Sequence, residues 1–272
     1  MSGHSRWAKI KRAKGANDSK RGTLFTKLAR NITMAAQEGG GDADMNFTLR
    51  LAIDKAKQAN MPLDNIDRAV KKGTGELKGV GSMQKVSYEG RSASGVSFII
   101  DCTTDNTNRT YSEIRDLITR AGAKFADAGS IAWQFQELGK LEVGAAKLKK
   151  SEKYGEADSY ETVDAAGLEE SLLELTGIED YTLINPSDDP DYEPTEQIPT
   201  GRKVAEVFVD KASLKAASQQ LEEQNWQIIT AEIVKKTDAT IEVTGEQLDK
   251  YQNFKFEIEE MDDIDTVWDN LA

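Results

Sequence analysis

The sequence predicts an α+β, multidomain protein: an N-terminal three-helix domain followed by two α/β sets, one inserted in the other. Three observations predict it. Between Leu24 and Val70 apolar side chains recur every three or four positions, which is the period of a helix. From Val96 onward short apolar strands alternate with helical stretches, and they do so twice. The first of these sets is short of a helix and a closing strand, and residues 238–272 supply a helix and a strand without partners.

The helices come first. Asn17 or Asp18 caps a helix whose apolar face is Leu24, Phe25, Leu28, Ile32, Ala35 and Ala36, and Gly39-Gly40-Gly41 stops it. A second helix runs from about Asn46 with Leu49, Ile53, Ala56 and Ala59 on one side. A third starts at Pro62, presents Ile66, Ala69 and Val70, and ends on Lys71-Lys72 before Gly73, where cations suit the helix C-terminus. Residues before Asn17 hold too few apolar side chains to pack and are expected to form an arm.

A connector spaced by Gly73, Gly75, Gly79 and Gly81 leads into the α/β part. The first set is a strand at Val96–Ile100, a helix at Tyr111–Ala121, and a strand at Ile131–Phe135 with Leu141-Glu142-Val143 beside it. The second is a helix around Leu168–Leu175, a strand at Val204–Val209, a helix at Leu214–Glu223, and strands near Ile228–Val234 and Thr240–Val243. A helix near Leu248–Ile258 and a short strand at Thr266–Trp268 close the chain. Asn185–Pro199 holds four of the five prolines and is expected to be a loop. The expected domains are 1–78, then 79–142 joined with 238–272, with 143–237 inserted. Pairing of Thr266–Trp268 with a strand from 85–143 is the test of that insertion.

Composition bounds the chemistry. One cysteine, Cys102, excludes an internal disulfide framework, and one histidine, His4, excludes a His-rich metal site. No stretch approaches the roughly 20 apolar residues of a membrane helix, and the basic N-terminus lacks a signal-peptide core, so a soluble cytoplasmic protein is expected. The net charge of −12 is segregated. Residues 1–37 carry nine Lys/Arg against Asp18 alone, a net of +8, whereas residues 79–272 carry 19 basic and 39 acidic groups, a net of −20. Such asymmetry marks a nucleic-acid-binding arm.

The candidate nucleic-acid-binding residues are Arg6, Trp7, Lys9, Lys11, Arg12, Lys14, Lys20, Arg21, Lys27 and Arg30. Lysines and arginines neutralise phosphates and release counterions without regard to sequence. Trp7 either stacks on an unpaired base or packs onto the bundle. His4, Lys71, Lys72 and Arg109 are secondary candidates. His4 reads as a solvated or phosphate-contacting side chain and not as a catalytic base. Cys102 reads as a small core residue. Asp105–Thr110 reads chiefly as an Asx-rich turn with Asn108 or Thr110 capping the next helix, with Arg109 as an anion contact in the functional alternative. Asp262-Asp263-Ile264-Asp265 reads as the turn before the closing strand, since a hard-cation loop needs more oxygen ligands at regular spacing. No metal site and no cofactor motif stands out.

The sequence resembles the YebC/PmpR family, named as probable transcriptional regulatory proteins, whose mitochondrial relatives activate translation. The resemblance is carried by Gly3-His4-Ser5-Arg6-Trp7, Lys20-Arg21-Gly22, Phe25-Thr26-Lys27-Leu28, Ala35-Ala36, Gly39-Gly40-Gly41-Asp42, Ile53-Asp54-Lys55-Ala56 and Asn60-Met61-Pro62. It continues through Tyr88-Glu89-Gly90, Thr104-Asp105-Asn106 with Asn108-Arg109-Thr110, Gly129-Ser130 and Asp262-Asp263-Ile264-Asp265. It implies ferredoxin-like folds for both α/β domains and nucleic-acid binding without catalysis. The first expectation for function is therefore a non-enzymatic DNA-binding transcriptional regulator, with protein partners docked on the acidic α/β domains and no membrane partner. The alternative is a ribosome-associated translation factor whose arm reaches ribosomal or transfer RNA. An enzyme using acidic-domain carboxylates ranks last, because no nucleophile, paired-carboxylate or cofactor motif supports it.

Overall fold

The computed structural model describes residues 18–77, 83–151, 159–189, 192–195 and 197–272, with the side chains of residues 18–21 excepted. Seven α-helices and two antiparallel sheets are present among them. The described residues up to Gln136 together with Lys236–Ala272 form one compact unit, and Glu137–Lys235 form the other.

Three helices open the first unit: α1 (Asp18–Gly39), α2 (Phe47–Gln58) and α3 (Leu63–Gly73). Leu28, Ile32, Ala35, Ala36, Leu49, Ala56, Ile66 and Ala69 are their shared core. These are small or medium side chains, so the helices come close. A Cβ on Gly73 would lie 2.3 Å from the Thr33 carbonyl oxygen and 2.6 Å from Ala36 Cβ, which makes that glycine a condition of the α1–α3 contact. At the α1–α2 corner Gly40 takes φ +88°, a left-handed conformation that glycine adopts without penalty. Asn46 then caps α2, accepting from Leu49 N–H at 3.1 Å while its amide donates to the carbonyls of Ala35 and Gly40.

The α/β part of this unit comprises β1 (Gln84–Arg91), β2 (Ser97–Thr104), α4 (Thr107–Arg120) and β3 (Lys124–Phe125), in chain order. The chain leaves for the second unit through β4 (Gln136–Lys149), β5 (Ser159–Thr162), α5 (Ala165–Leu173), β6 (Ile178–Ile184), β7 (Val204–Asp210), α6 (Leu214–Glu223) and β8 (Trp226–Lys236). It returns as α7 (Glu246–Glu259) and β9 (Ile264–Asp269). The first sheet has the order β3-β1-β2-β9. Its closing strand pairs antiparallel with β2, setting Ile99 against Trp268 and Ile100 against Val267. This is the ferredoxin-like arrangement with one strand, β1, moved to the front of the chain. Phe98, Ile100 and Cys102 on β2 meet Ile114 and Ile118 of α4 and Tyr251, Phe254 and Ile258 of α7 on one face of the sheet.

The second sheet has the order β5-β4-β7-β6, with β8 also paired to β4. Leu141 opposes Val207, and Leu168, Leu172, Leu214 and Leu221 of its helices are fully buried. The proline-rich stretch after β6 is held down where it is described. Arg202, 3% exposed, donates to the carbonyls of Gln197 and Tyr160 and to Thr162 and Gln227.

Several sequence expectations are corrected. Ile131–Phe135 is not a strand: Ala132–Gln134 forms a 3₁₀ turn, because the backbone N–H groups of Ile131 and Ala132 are taken by the Glu89 carboxylate and are not free for a ladder. Leu141–Val143 does not lie beside it but belongs to β4 in the other sheet. Thr240–Val243 is reduced to a single parallel bridge between Ile241 and Leu271. The cap of α4 is Asn106, not Asn108 or Thr110, with its side chain accepting from Arg109 N–H at 3.1 Å. Strands β1, β3, β5 and β6 were not expected: β1, β3 and β5 carry few apolar residues, β5 being exposed throughout, and β6 buries none of its residues fully although Ile178, Tyr181, Leu183 and Ile184 lie in it.

Candidate nucleic-acid interface

The basic stretch runs into α1. His4, Arg6, Trp7, Lys9, Lys11, Arg12 and Lys14 lie outside the described residues, and of Lys20 and Arg21 only the helical backbone is described. The structure speaks clearly about the next two cations. Lys27 and Arg30 are three residues apart and share a helix face. That face is turned toward the α/β part of the same unit. Lys27 Nζ donates to the carbonyl oxygen of Glu259. Arg30 Nη1 donates to the carbonyl oxygens of Thr103 at 3.0 Å and Asp262 at 2.6 Å, and Nη2 stands 3.5 Å from the Asp263 carboxylate.

Only 11% of the Arg30 side chain is exposed. Burial pushes the Lys27 ammonium below its ordinary value against the pull of Asp265, Glu259, Glu260 and Asp262. These two residues therefore correct the expectation that they extend a phosphate-facing surface: they clamp α1 to the turn before β9.

Asp263 is the centre of that clamp. Its carboxylate accepts from Arg109 Nη2 at 2.7 Å, Thr110 Oγ1 at 2.7 Å and Thr104 Oγ1 at 3.0 Å. Burial alone would push its carboxyl up, but the hydrogen bonds from Arg109, Thr110 and Thr104 outweigh it and hold the group below its usual range. Neighbouring Asp265 has the opposite balance. Burial pushes it up, and although Oδ2 accepts from Thr103 Oγ1 at 2.6 Å, Oδ1 is buried without a hydrogen bond. Thus the Thr104–Thr110 stretch and the Asp262–Asp265 stretch form one network with Arg30.

Arg109 sits in this network with its guanidinium already shared between Asp263 and Asp105, the latter at 3.0 Å. A cleft of about 380 Å³ lies alongside, where Asp105, Glu113, Asp262 and Asp263 outnumber Arg30 and Arg109. An anion would meet a net negative wall there. Lys71 is bonded to Asp67 at 2.6 Å on the exposed side of α3, which holds its ammonium above the ordinary value, and Lys72 is exposed beside it. Cys102 is buried, and burial pushes its thiol well up, as befits a core residue.

One residue was missed. Read as part of a strand, Trp133 would share a buried face with Ile131 and Phe135. The 3₁₀ turn instead buries those two and leaves the indole 76% exposed. Its Nε1–H donates to the Ser130 carbonyl at 2.8 Å, so the ring is held. The turn is pinned from beneath: Glu89 accepts from the N–H groups of Gly129 at 2.5 Å, Ile131 at 2.6 Å and Ala132 at 2.8 Å. Burial pushes that carboxyl up, yet these three bonds bring it below its usual range. The sequence signal was the polar Glu89 between Tyr88 and Gly90, too weak alone to announce a partner forty residues away.

Two domain descriptions match this chain: the TACO1/YebC protein N-terminal domain over residues 5–76, and the TACO1/YebC second and third domain over residues 83–271. The chain belongs to the TACO1/YebC family. A "Probable transcriptional regulatory protein" of Chlorobium luteolum is 40% identical over 271 residues, covering 100% of this chain and 95% of the relative. One of the same description from Natranaerobius thermophilus is 36% identical over 274 residues, covering 100% and 96%. Among solved structures, a conserved hypothetical protein of Aquifex aeolicus superposes with a TM-score of 0.71 at 32% identity, over 94% of this chain and 91% of that one. The two networks built on Asp263 and Glu89 thus lie in the second and third domain region of a TACO1/YebC chain, and the basic stretch from Ser5 onward lies in its N-terminal domain. Among the described residues no helix is long and apolar enough to cross a membrane, and no group of three acidic, Cys or His side chains could hold a metal.

Proposed function

We propose that this protein is a non-enzymatic, cytoplasmic, DNA-binding transcriptional regulator that grips phosphates with its basic N-terminal arm and the start of α1. The carrying observation is the charge segregation: nine cations against one acid in residues 1–37 of a chain whose net charge is −12. Two of the nine, Lys27 and Arg30, are engaged inward, which leaves Arg6, Lys9, Lys11, Arg12, Lys14, Lys20 and Arg21 for phosphates. Relatives named as probable transcriptional regulatory proteins across their full length support the regulatory part.

Seven phosphate contacts on duplex DNA correspond to a log–log salt slope near −6, or a loss of at least about 10³-fold in affinity between 50 and 200 mM salt. Replacing Lys9, Lys11, Arg12 and Lys14 together with Ala is expected to reduce that slope by about 3 to 4 and to weaken all sequences alike. A flat salt response of the intact protein sinks the proposal.

A second reading, a ribosome-associated factor holding RNA, is favoured by one observation, the exposed indole of Trp133. Bases free to stack on an aromatic ring are a feature of RNA loops and ends. Crosslinking in cells with sequencing of the attached nucleic acid separates the two: recovery chiefly of ribosomal RNA displaces the DNA reading.

A further inference from the structure

We infer that the face of the first sheet opposite its helices carries a second nucleic-acid contact, in which Trp133 stacks on an unpaired base of RNA and Arg91 with Lys124 hold the adjoining phosphates. This rests on the nucleic-acid reading above and assigns it a site distinct from the arm.

The placement follows from strand alternation. On β1 the even positions face the helices: Tyr88 opposes Ile100, and Gly90 opposes Phe98 so closely that a Cβ there would stand 2.4 Å from the Phe98 ring. Glu89 and Arg91 therefore point to the other face. Arg91 is paired directly with Lys124 of the two-residue edge strand β3, and both are exposed. Directly opposed residues of an antiparallel pair have Cβ atoms about 4.5–5.5 Å apart, and two like charges in that position are destabilising. In a chain with 47 acids, neither cation forms an ion pair with a described carboxylate, although Asp127 lies on the neighbouring loop. A phosphate between them would relieve the repulsion.

The same face carries the Trp133 turn. Residues 126–135 lie over Ile99 and Trp268, Ala126 N–H donates to the Glu89 carbonyl, and the Glu89 carboxylate holds the turn one strand position from Arg91. That carboxylate keeps its negative charge while accepting from three N–H groups, one charge against the two cations of Arg91 and Lys124. An indole fixed at its Nε1 edge, with its faces in water, has already lost the freedom that stacking costs. Stacking on an aromatic ring is tolerant of base identity, and the cations add attraction for the backbone. Duplex DNA offers no such base, whereas RNA loops and ends do.

The test uses full-length protein and an unstructured oligouridylate, with duplex DNA in parallel. Trp133→Ala is expected to weaken the oligouridylate roughly tenfold or more and leave duplex binding unchanged, and Trp133→Phe to restore most of the loss. Arg91→Gln with Lys124→Gln is expected to lower the single-strand salt slope by about 1.4. The Trp133 variants should melt as wild type does, since that side chain is exposed, and the double Gln variant should melt at or above it, since it removes a like-charge pair. Wild-type affinity in Trp133→Ala, with the arm variant still impaired, overturns this site and leaves the arm standing. No binding of either nucleic acid by the wild type overturns both. Loss of a co-purifying protein in Trp133→Ala, with RNA affinity intact, assigns the face to a protein and also overturns the inference.

Discussion

Asp263 and Arg109 are 154 residues apart in the chain and meet at 2.7 Å, across the gap that the whole second unit fills in sequence. The contact closes the first α/β part, because it joins the start of α4 to the turn before β9. Two buried hydroxyls, Thr104 and Thr110, point at the same carboxylate, and Arg30 brings in α1. Replacing Asp263 by Asn removes the charge that these donors were assembled around. A loss of about 2–3 kcal/mol is expected in urea unfolding. The folded carboxyl sits below its unfolded value, so its contribution is present in full above about pH 4 and fades as pH falls through the folded value. The stability gap between wild type and Asp263→Asn should therefore be widest near neutrality and shrink below about pH 4. A gap that grows in acid would contradict the network.

Much of this architecture was legible in the residues. The helices have strong apolar periods and explicit caps and stops, and so α2, α3 and α6 begin and end within a residue or two of expectation, and α1 ends at the expected glycines. The buried strand β2 was equally plain, being apolar without interruption. What failed was local pattern where a distant side chain takes over the backbone. Ile131-Ala132-Trp133-Gln134-Phe135 alternates like a strand, but Glu89 consumes its N–H groups and bends it into a turn. The inward direction of Lys27 and Arg30 was hidden for a related reason: their partners are distant in the chain, the Thr103 carbonyl 73 residues from Arg30 and the groups of Glu259, Asp262 and Asp263 more than 230 away. Segregated charge raises the expectation of a polyanion partner, but it does not say which cations of the run are already in use.

Glu89 supports an independent prediction. Gln at this position keeps the size but has one acceptor oxygen where the carboxylate has two, and both oxygens are in use. At least one of three N–H donors is then left unmet, at a cost of about 1–3 kcal/mol. At least one of the amides of Gly129, Ile131 and Ala132 should exchange with solvent much faster in Glu89→Gln than in wild type, while the α1–α3 amides stay protected at matched stability. Equal protection of the turn in both proteins would show that Glu89 does not hold it.

Two glycines of the helical bundle should respond to alanine with opposite signs. At Gly73 the added methyl meets the Thr33 carbonyl at 2.3 Å, a backbone atom that moves only if α1 and α3 separate. A loss of about 1–3 kcal/mol is expected, the range of an overpacked contact. Gly22 lies inside α1 with nothing within 4 Å of its would-be methyl, so alanine there should gain roughly 0.5–1 kcal/mol from helix propensity alone. Melting temperatures of the two variants are sufficient to check the signs.

Arg30 decides whether cations of α1 work outward or inward. Its guanidinium is spent on two backbone carbonyls and the Asp263 carboxylate, so Arg30→Ala should act on the fold. It orphans the Thr103 and Asp262 carbonyls and weakens the charge balance at Asp263, and a destabilisation of about 1–3 kcal/mol is expected. The slope of affinity against salt should stay at the wild-type value, because no phosphate contact is lost. The arm variant Lys9→Ala, Lys11→Ala, Arg12→Ala and Lys14→Ala should behave in the reverse way, with a shallower slope and an unchanged melting temperature. If Arg30→Ala left stability untouched and lowered the slope by about 0.9, one phosphate's worth, its side chain would be reaching the nucleic acid and the clamp described for it would be wrong.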